Sequence, residues 1–163
     1  MRTLVQSLAI LSILAAVSGC GAPRPNATSD TAAADATAHQ AHEAYTAAIN
    51  SNNLDSLVAM FTEDVVFLSP NEPVLVGKPA VRAWSEAYLK AFRIHWDKTV
   101  SEFIVAGEWA FERYSYKEND KPRGGGVPVT DTGKGLIIYH HDADGKWRVA
   151  RDAWNSDLPL PTK

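Results

Sequence analysis

The spacing of apolar residues changes character near Phe92. Before it, large apolar side chains recur every three or four positions; after it they alternate with polar ones. A chain that reads helical first and β-stranded afterwards indicates an α+β arrangement, with helices covering one face of a curved antiparallel sheet. The helical half divides into three. Residues 38–50 are Ala-rich with Tyr45 and Ile49 on one face, and Asn52-Asn53 breaks them. Asn53 can N-cap a second helix in which Leu54, Leu57, Val58 and Phe61 fall at i, i+3, i+4 and i+7, closed by Thr62-Glu63-Asp64. A short strand is expected at Val65-Val66-Phe67-Leu68 and another at Val74-Leu75-Val76, around a loop bracketed by Pro70 and Pro73. Gly77-Lys78-Pro79 then starts a third helix whose Val81, Trp84, Tyr88 and Phe92 line one face.

The β half predicts strands at 93–106, 109–118, 134–142 and 146–156. Ala106-Gly107 and Asp142-Ala143-Asp144-Gly145 are tight turns, and 121–132 forms a longer, Gly- and Pro-rich hairpin loop. The expected core between helices and sheet contains Leu57, Phe61, Val81 and Trp84.

The N-terminus reads differently. Arg2 precedes an apolar run from Leu4 to Val17, too short to span a bilayer, which takes about 20 residues. The run ends in Val17-Ser18-Gly19-Cys20, which resembles the lipobox of bacterial lipoproteins. That resemblance implies a signal peptide over 1–19 and lipidation of Cys20. Cys20 is the chain's only cysteine, so no internal disulfide can form. Gly21 stands where an aspartate would suggest inner-membrane retention. The expectation is therefore an envelope protein anchored in the membrane through Cys20, on the outer membrane facing the periplasm in a Gram-negative source. Residues 20–37 carry no aromatic side chain and read as a tether, helical at most toward its Ala-rich end. The domain itself is expected over 38–159, with a tail at 160–163. With 16 basic and 19 acidic residues the chain is mildly acidic, which gives no electrostatic footprint for nucleic acid.

Three stretches carry a further resemblance. They are Tyr45 to Asn50 running through Asn53-Leu54-Asp55 to Met60-Phe61-Thr62-Glu63-Asp64-Val65; Pro70, Pro73, Gly77 and Ala80-Val81-Arg82; and Gly133-Lys134-Gly135 with Asp144-Gly145-Lys146-Trp147-Arg148-Val149 and Asp152-Ala153-Trp154-Asn155-Ser156-Asp157-Leu158-Pro159. In order and spacing the domain resembles the SnoaL-like and ketosteroid-isomerase-like branch of the nuclear-transport-factor-2-like superfamily. The resemblance implies a cone, with three N-terminal helices on the concave face of the sheet and a pocket between them. It implies no single activity, because that fold hosts isomerases, cyclases, dehydratases and non-catalytic binders.

Tyr45 matches the oxyanion-hole tyrosine of ketosteroid isomerases, where a phenol donates to a developing enolate; packing in the core is the other reading. The family's catalytic aspartate, just before a proline, corresponds to Ser69 before Pro70, and its second acid falls near Ile137. The isomerase mechanism is therefore not expected: a serine without a base does not shuttle protons near neutral pH. Alternation groups Ala110, Glu112, Tyr114 and Tyr116 on one face of a strand, and Arg148, Ala150, Asp152 and Trp154 on another. The resemblance turns the first set, and Asp152 with Trp154, inward. Tyr45, Glu112 and Asp152 are thus the catalytic candidates, and Trp84, Tyr88, Tyr114 and Trp154 the ligand-binding ones. Structural ion pairs with Arg113, Lys134 or Arg148 are the alternative for the two carboxylates.

No metal or cofactor is expected. His140 and His141 are adjacent on a strand and point apart. His39 and His42, beside Glu43, read as a solvated helix face, and His95 as sheet packing. Six residues separate Gly126 from Gly133 and Gly135 follows Lys134, so the loop does not fit a phosphate-binding P-loop. The expected function is a lipid-anchored domain binding a small, partly apolar ligand in its cone, with catalysis left open. A dimerising or partner-binding envelope module without catalysis is one alternative, a homodimer being its simplest form. A lyase or isomerase using Glu112 or Asp152 with Tyr45 is another.

Overall fold

The computed structural model describes residues 27–159, with side chains from Asp35 onward. Its elements run α1 (Ala27–Ser51), α2 (Leu54–Val58), β1 (Phe61–Leu68), β2 (Leu75–Val76), α3 (Lys78–Ala91), β3 (Phe92–Arg93), β4 (Trp96–Ala106), β5 (Trp109–Pro122), β6 (Val129–His141) and β7 (Trp147–Ser156). The expected α+β order holds: apart from the first short strands, helices precede a sheet in which β4 to β7 form a meander. No described helix is long and apolar enough to cross a membrane.

The first helix begins earlier than expected. Alanine is the strongest helix former, and α1 extends back to Ala27, into the segment read as a tether. Near the domain, Thr37 accepts a hydrogen bond from Trp147 Nε1 at 3.2 Å. The signal segment 1–19, Cys20 and the tail at 160–163 lie outside the described residues.

The second helix is shorter than its periodicity predicts. Asn53 caps it as expected, its side chain accepting from Ser56 N at 2.9 Å. It ends at Val58, however, and Phe61 opens β1 instead of completing a helical turn. There Phe61 faces Val149 of β7 in the sheet register and is fully buried. Burial in the sheet overrides the local helical pattern, and Thr62-Glu63-Asp64 are strand residues, not a helix end.

The sheet order is β2-β1-β7-β6-β5-β3, with β4 also paired to β5. All pairings are antiparallel except one: β1 runs parallel to β7, which departs from the wholly antiparallel expectation. Such a pair needs a long connection, and here α3 and the whole meander supply it. The single strand expected at 93–106 is split in two. Asn52, at φ 55°, donates to Ile94 O at 2.9 Å and accepts from Ile94 N at 2.6 Å. Asn50 makes the same reciprocal pair with Trp96, at 2.9 and 2.8 Å. Two asparagine side chains thus stand in for a neighbouring strand and tie the end of α1 to the start of β4.

Gly77 precedes α3 at φ 87°, a conformation few other residues adopt, and Pro79 sits in the first turn. Leu57, Phe61 and Val81 are buried in the core as expected. Trp84 is only half-buried, because it borders a cavity instead of filling the core.

Candidate functional site

Between the helices and the concave sheet face lies a cavity of about 500 Å³. Tyr45 reaches it from α1, Trp84 and Tyr88 from α3, Tyr114 from β5, and Asp152 and Trp154 from β7. Six of the seven candidate pocket residues therefore border one space. The seventh, Glu112, does not.

Strand geometry explains that difference. Glu112 and Asp152 both face Ile137 in the register, one on each side of it. They stand two strand spacings apart, about 9.5 Å, with the fully buried Ile137 between them. Glu112 is itself completely buried. Its Oε1 lies 2.5 Å from Lys98 Nζ, and its Oε2 accepts from Tyr139 OH at 2.7 Å and lies 3.1 Å from His42 Nδ1. A carboxylate so enclosed is a structural charge, and the reading of Glu112 as a catalytic base is withdrawn. The ion-pair alternative was right in kind but named the wrong cations. Lys98 is its cation, with the His42 ring as a neighbour; Arg113 pairs with Glu102 and Lys134 with Asp157 on the outer surface.

Lys98 is a buried cation, its side chain 1% exposed. Burial pulls its pKa down, and the facing Glu112 carboxylate works against that fall. His42 is likewise pulled down, first by burial and then by Lys98, against the opposing pull of Glu112. It is therefore not part of a solvated face, unlike the exposed His39, whose ring lies tilted against Phe103 with 4.2 Å between centroids. His140 bonds Asp142 at 2.8 Å and His141 packs on Trp147 at 5.0 Å, so the two point apart as expected. Among the described residues no group of three His, Cys, Asp or Glu is placed to hold a metal.

Asp152 is different. It lines the cavity, is 4% exposed, and has no lysine or arginine in direct contact among the described residues. Tyr45 OH donates to its Oδ2 at 2.8 Å and Tyr114 OH to its Oδ1 at 3.3 Å. Burial pushes its pKa up to about 7, although the tyrosine bonds and the more distant Lys98 favour the charged form. Tyr45 is therefore committed to Asp152 in this state. To act as an oxyanion donor its hydroxyl must first leave the carboxylate.

A bulge in β7 aims Asp152. Tyr139 faces Val149 and Ile138 faces Arg151, which leaves Ala150 without a cross-strand partner. Strict alternation had grouped Arg148 and Ala150 with Asp152 and Trp154. The extra residue breaks that grouping: Arg148 points outward to Asp142 and Asp144, while Asp152 and Trp154 face the cone.

The upper walls are aromatic. Trp84 and Tyr88 stack at 5.4 Å, and Phe67 and Trp154 meet edge to face at 5.7 Å. Ser69 borders the cavity too, but its hydroxyl donates to Glu72 Oε2 at 3.0 Å, as does Trp84 Nε1 at 2.8 Å. Glu72, three residues beyond the vacated base position, thus restores a carboxylate to that rim. Sequence reasoning missed Glu72, Lys98 and His42, and also Glu118 and Asp131 farther along the cavity wall. Extending the inward alternation of β5 past Tyr116 would have found Glu118.

The chain was compared with known proteins. The model of the SnoaL-like domain matches residues 42–150. No curated protein matches. Among solved structures, a ketosteroid isomerase-like protein from Erwinia carotovora atroseptica is 23% identical, with 76% of this chain and 96% of that one covered, at a TM-score of 0.69. A protein provisionally named a dehydratase of the nuclear-transport-factor-2-like family, from Streptomyces avermitilis, is 16% identical over 78% and 99%, also at 0.69. A nuclear-transport-factor-2-like superfamily protein from Salmonella enterica serovar Typhimurium is 13% identical over 80% and 96%, at 0.67. At such identities these structures establish the cone fold alone.

Proposed function

The chain belongs to the SnoaL-like domain family, and on that premise we propose that its cone binds a small, partly apolar molecule, with a polar group of that molecule meeting Asp152. The observation that carries this reading is the open cavity of about 500 Å³ with one uncompensated carboxylate at its floor. A space of that size suits a drug-sized ligand, and apolar walls with few polar groups are what such sites present. We further propose that the domain works in the cell envelope, tethered by lipid on Cys20. Native mass spectrometry of the purified protein tests the binding reading. A co-purified small molecule, or saturable binding of the neutral fluorophore N-phenyl-1-naphthylamine, is expected. Absence of both overturns it.

A second reading is favoured by the pKa of Asp152, about 7. A base poised there can take a proton from a carbon beside a carbonyl and return it elsewhere, as an isomerase does. It can equally support loss of a hydroxyl group, as a lyase does. The convex sheet face favours a non-catalytic, self-associating module, since Leu68, Ile104, Trp109, Phe111 and Leu136 are exposed on it. The open cavity weighs against a purely structural role.

A further inference from the structure

Among the described residues four tyrosines border the cavity, and each has its hydroxyl proton engaged by a carboxylate. Tyr45 and Tyr114 donate to Asp152, Tyr88 to Asp120 at 2.6 Å and Tyr116 to Asp131 at 2.7 Å. The rim repeats the pattern, where Ser69 Oγ and Trp84 Nε1 both serve Glu72. A ligand entering this space meets carboxylate oxygens, which accept, and finds these donors already engaged.

Ser85 differs. It lies on α3 one turn from Val81 and one turn from Leu89, on the buried face of that helix, and it borders the cavity. It is 2% exposed, and its Oγ has no hydrogen-bond partner among the described residues. A helical hydroxyl ordinarily has a local solution, which is to donate to a carbonyl of the preceding turn. On α1, Thr46 does so with His42 O at 3.3 Å and Ser51 with Ala48 O at 2.7 Å. Ser85 does not. A buried hydroxyl without a partner destabilises the fold, and alanine in its place would avoid that penalty and be the better helix former. The fold gains nothing from this hydroxyl, so its partner is sought in the space it borders.

The charges narrow what that partner is. No lysine, arginine or histidine borders the cavity among the described residues, whereas carboxylates do. An anionic oxygen would lose its hydration there without a countercharge. The acceptor that Ser85 can serve is then the oxygen of a neutral carbonyl or ether.

We propose that Ser85 is a binding residue of the cone, its hydroxyl donating to a neutral carbonyl or ether oxygen of the ligand whose other polar group meets Asp152. This rests on the binding reading above and specifies the ligand's chemistry. It assigns the acceptor oxygen to α3 and not to Tyr45, whose proton Asp152 holds.

The test is competition against N-phenyl-1-naphthylamine on the purified protein, with two probes of nearly the same shape. 2-Acetylnaphthalene carries a carbonyl oxygen where 2-isopropenylnaphthalene carries a methylene. At pH 8.5 Asp152, whose pKa is about 7, is ionised and donates to neither probe. The ketone is expected to bind about tenfold tighter than the hydrocarbon, the effect of one hydrogen bond. Ser85→Ala should bring the two within about twofold of each other by weakening the ketone alone. It should also leave the urea midpoint of the unliganded protein unchanged or higher. Equal binding of the two probes, displacement by neither, or a ketone preference that survives Ser85→Ala overturns the role of Ser85 and leaves the binding reading standing. So does a loss shared by both probes, or a fall in the urea midpoint, which would give the hydroxyl a partner inside the protein. If the fluorophore does not bind and no molecule co-purifies, both readings fall.

Discussion

Tyr45 and Asp152 are 107 positions apart in the chain, and the tyrosine hydroxyl donates to the aspartate Oδ2 at 2.8 Å. That bond joins the first helix to the last strand at the floor of the cone. It also sets the proton affinity of the carboxylate, because a donor to the charged form favours that form. Tyr45→Phe removes the donor and keeps the ring. The Asp152 midpoint, read by carbon-detected NMR titration of its carboxyl, should move upward from about 7. An unchanged or lowered midpoint contradicts the proposed control.

The same carboxylate makes stability depend on pH in an unusual direction. The folded pKa of Asp152 lies above its ordinary value of 3.8, at about 7. Between those values the native state holds the proton more firmly than the unfolded chain. Stability is then fully present below about pH 4 and is lost as pH rises through 7, by up to on the order of 4 kcal/mol. Glu118, also raised, adds to the trend. Urea denaturation at pH 5 and pH 8 should show lower stability at pH 8, and Asp152→Asn should flatten the difference. A difference of the same size in the variant rules out Asp152 as its source.

Lys98 and Glu112 form an ion pair that is structural, and the two ways of disturbing it should differ. Lys98→Met leaves Glu112 buried beside His42 and Tyr139 without its main countercharge. That should cost about 3–5 kcal/mol in urea denaturation. Adding Glu112→Gln removes the orphaned charge and should recover much of the loss. Since Glu112 does not border the cavity, the double variant should still bind N-phenyl-1-naphthylamine. If the second substitution recovers nothing, the pair is not what the cost measures.

Gly133 and Gly135 lie directly across the ladder from Tyr116 and Tyr114, and each tyrosine ring covers its glycine. A Cβ at Gly135 would press on the Tyr114 hydroxyl and come within 2.7 Å of Ala153 O. Gly135→Ala should therefore displace the Tyr114 ring from Asp152 and destabilise the fold by about 1–3 kcal/mol. Near-ultraviolet circular dichroism and urea denaturation together report this. Wild-type values in both would show that the ring does not need the space.

These relationships mark how far the sequence could be read. Helix phase grouped Tyr45 with Ile49, and alternation grouped Glu112 with Tyr114 and Asp152 with Trp154; that these faces turn inward was what the resemblance implied. Alternation failed at Arg148 and Ala150, where a bulge adds a residue that no local pattern announces. Helical periodicity failed at Phe61, whose spacing suits a helix but whose burial against Val149 depends on a strand some ninety residues away. Glu112 was turned to the correct side and given the wrong role. Whether an inward carboxylate is paired is decided by Lys98 on the neighbouring strand and His42 on α1, and long-range pairing of that kind leaves no periodic trace. Glu118 and Asp131 were hidden in turn, because sequence alone gives neither the strand register nor the length of the hairpin that brings them face to face.

Anchoring is the last consequence, and it concerns residues before the described ones. Val17-Ser18-Gly19-Cys20 proposes a lipidated cysteine at the mature N-terminus. Each buried methylene contributes about 0.8 kcal/mol, so two or more acyl chains hold firmly where a single one holds only marginally. Helix α1 begins at Ala27, and a chain reaches at most about 3.5 Å per residue. If Cys20 is lipidated as proposed, the start of the helix would lie within about 25 Å of it, and ligands that partition into the bilayer would be favoured. Cys20→Ala should abolish labelling by a clickable fatty acid and move the protein from the membrane pellet to the soluble fraction after the signal is cut by other means, or leave it uncleaved. Labelling that persists in the variant removes Cys20 as the acceptor, and with it the reason to place the cone at a membrane surface.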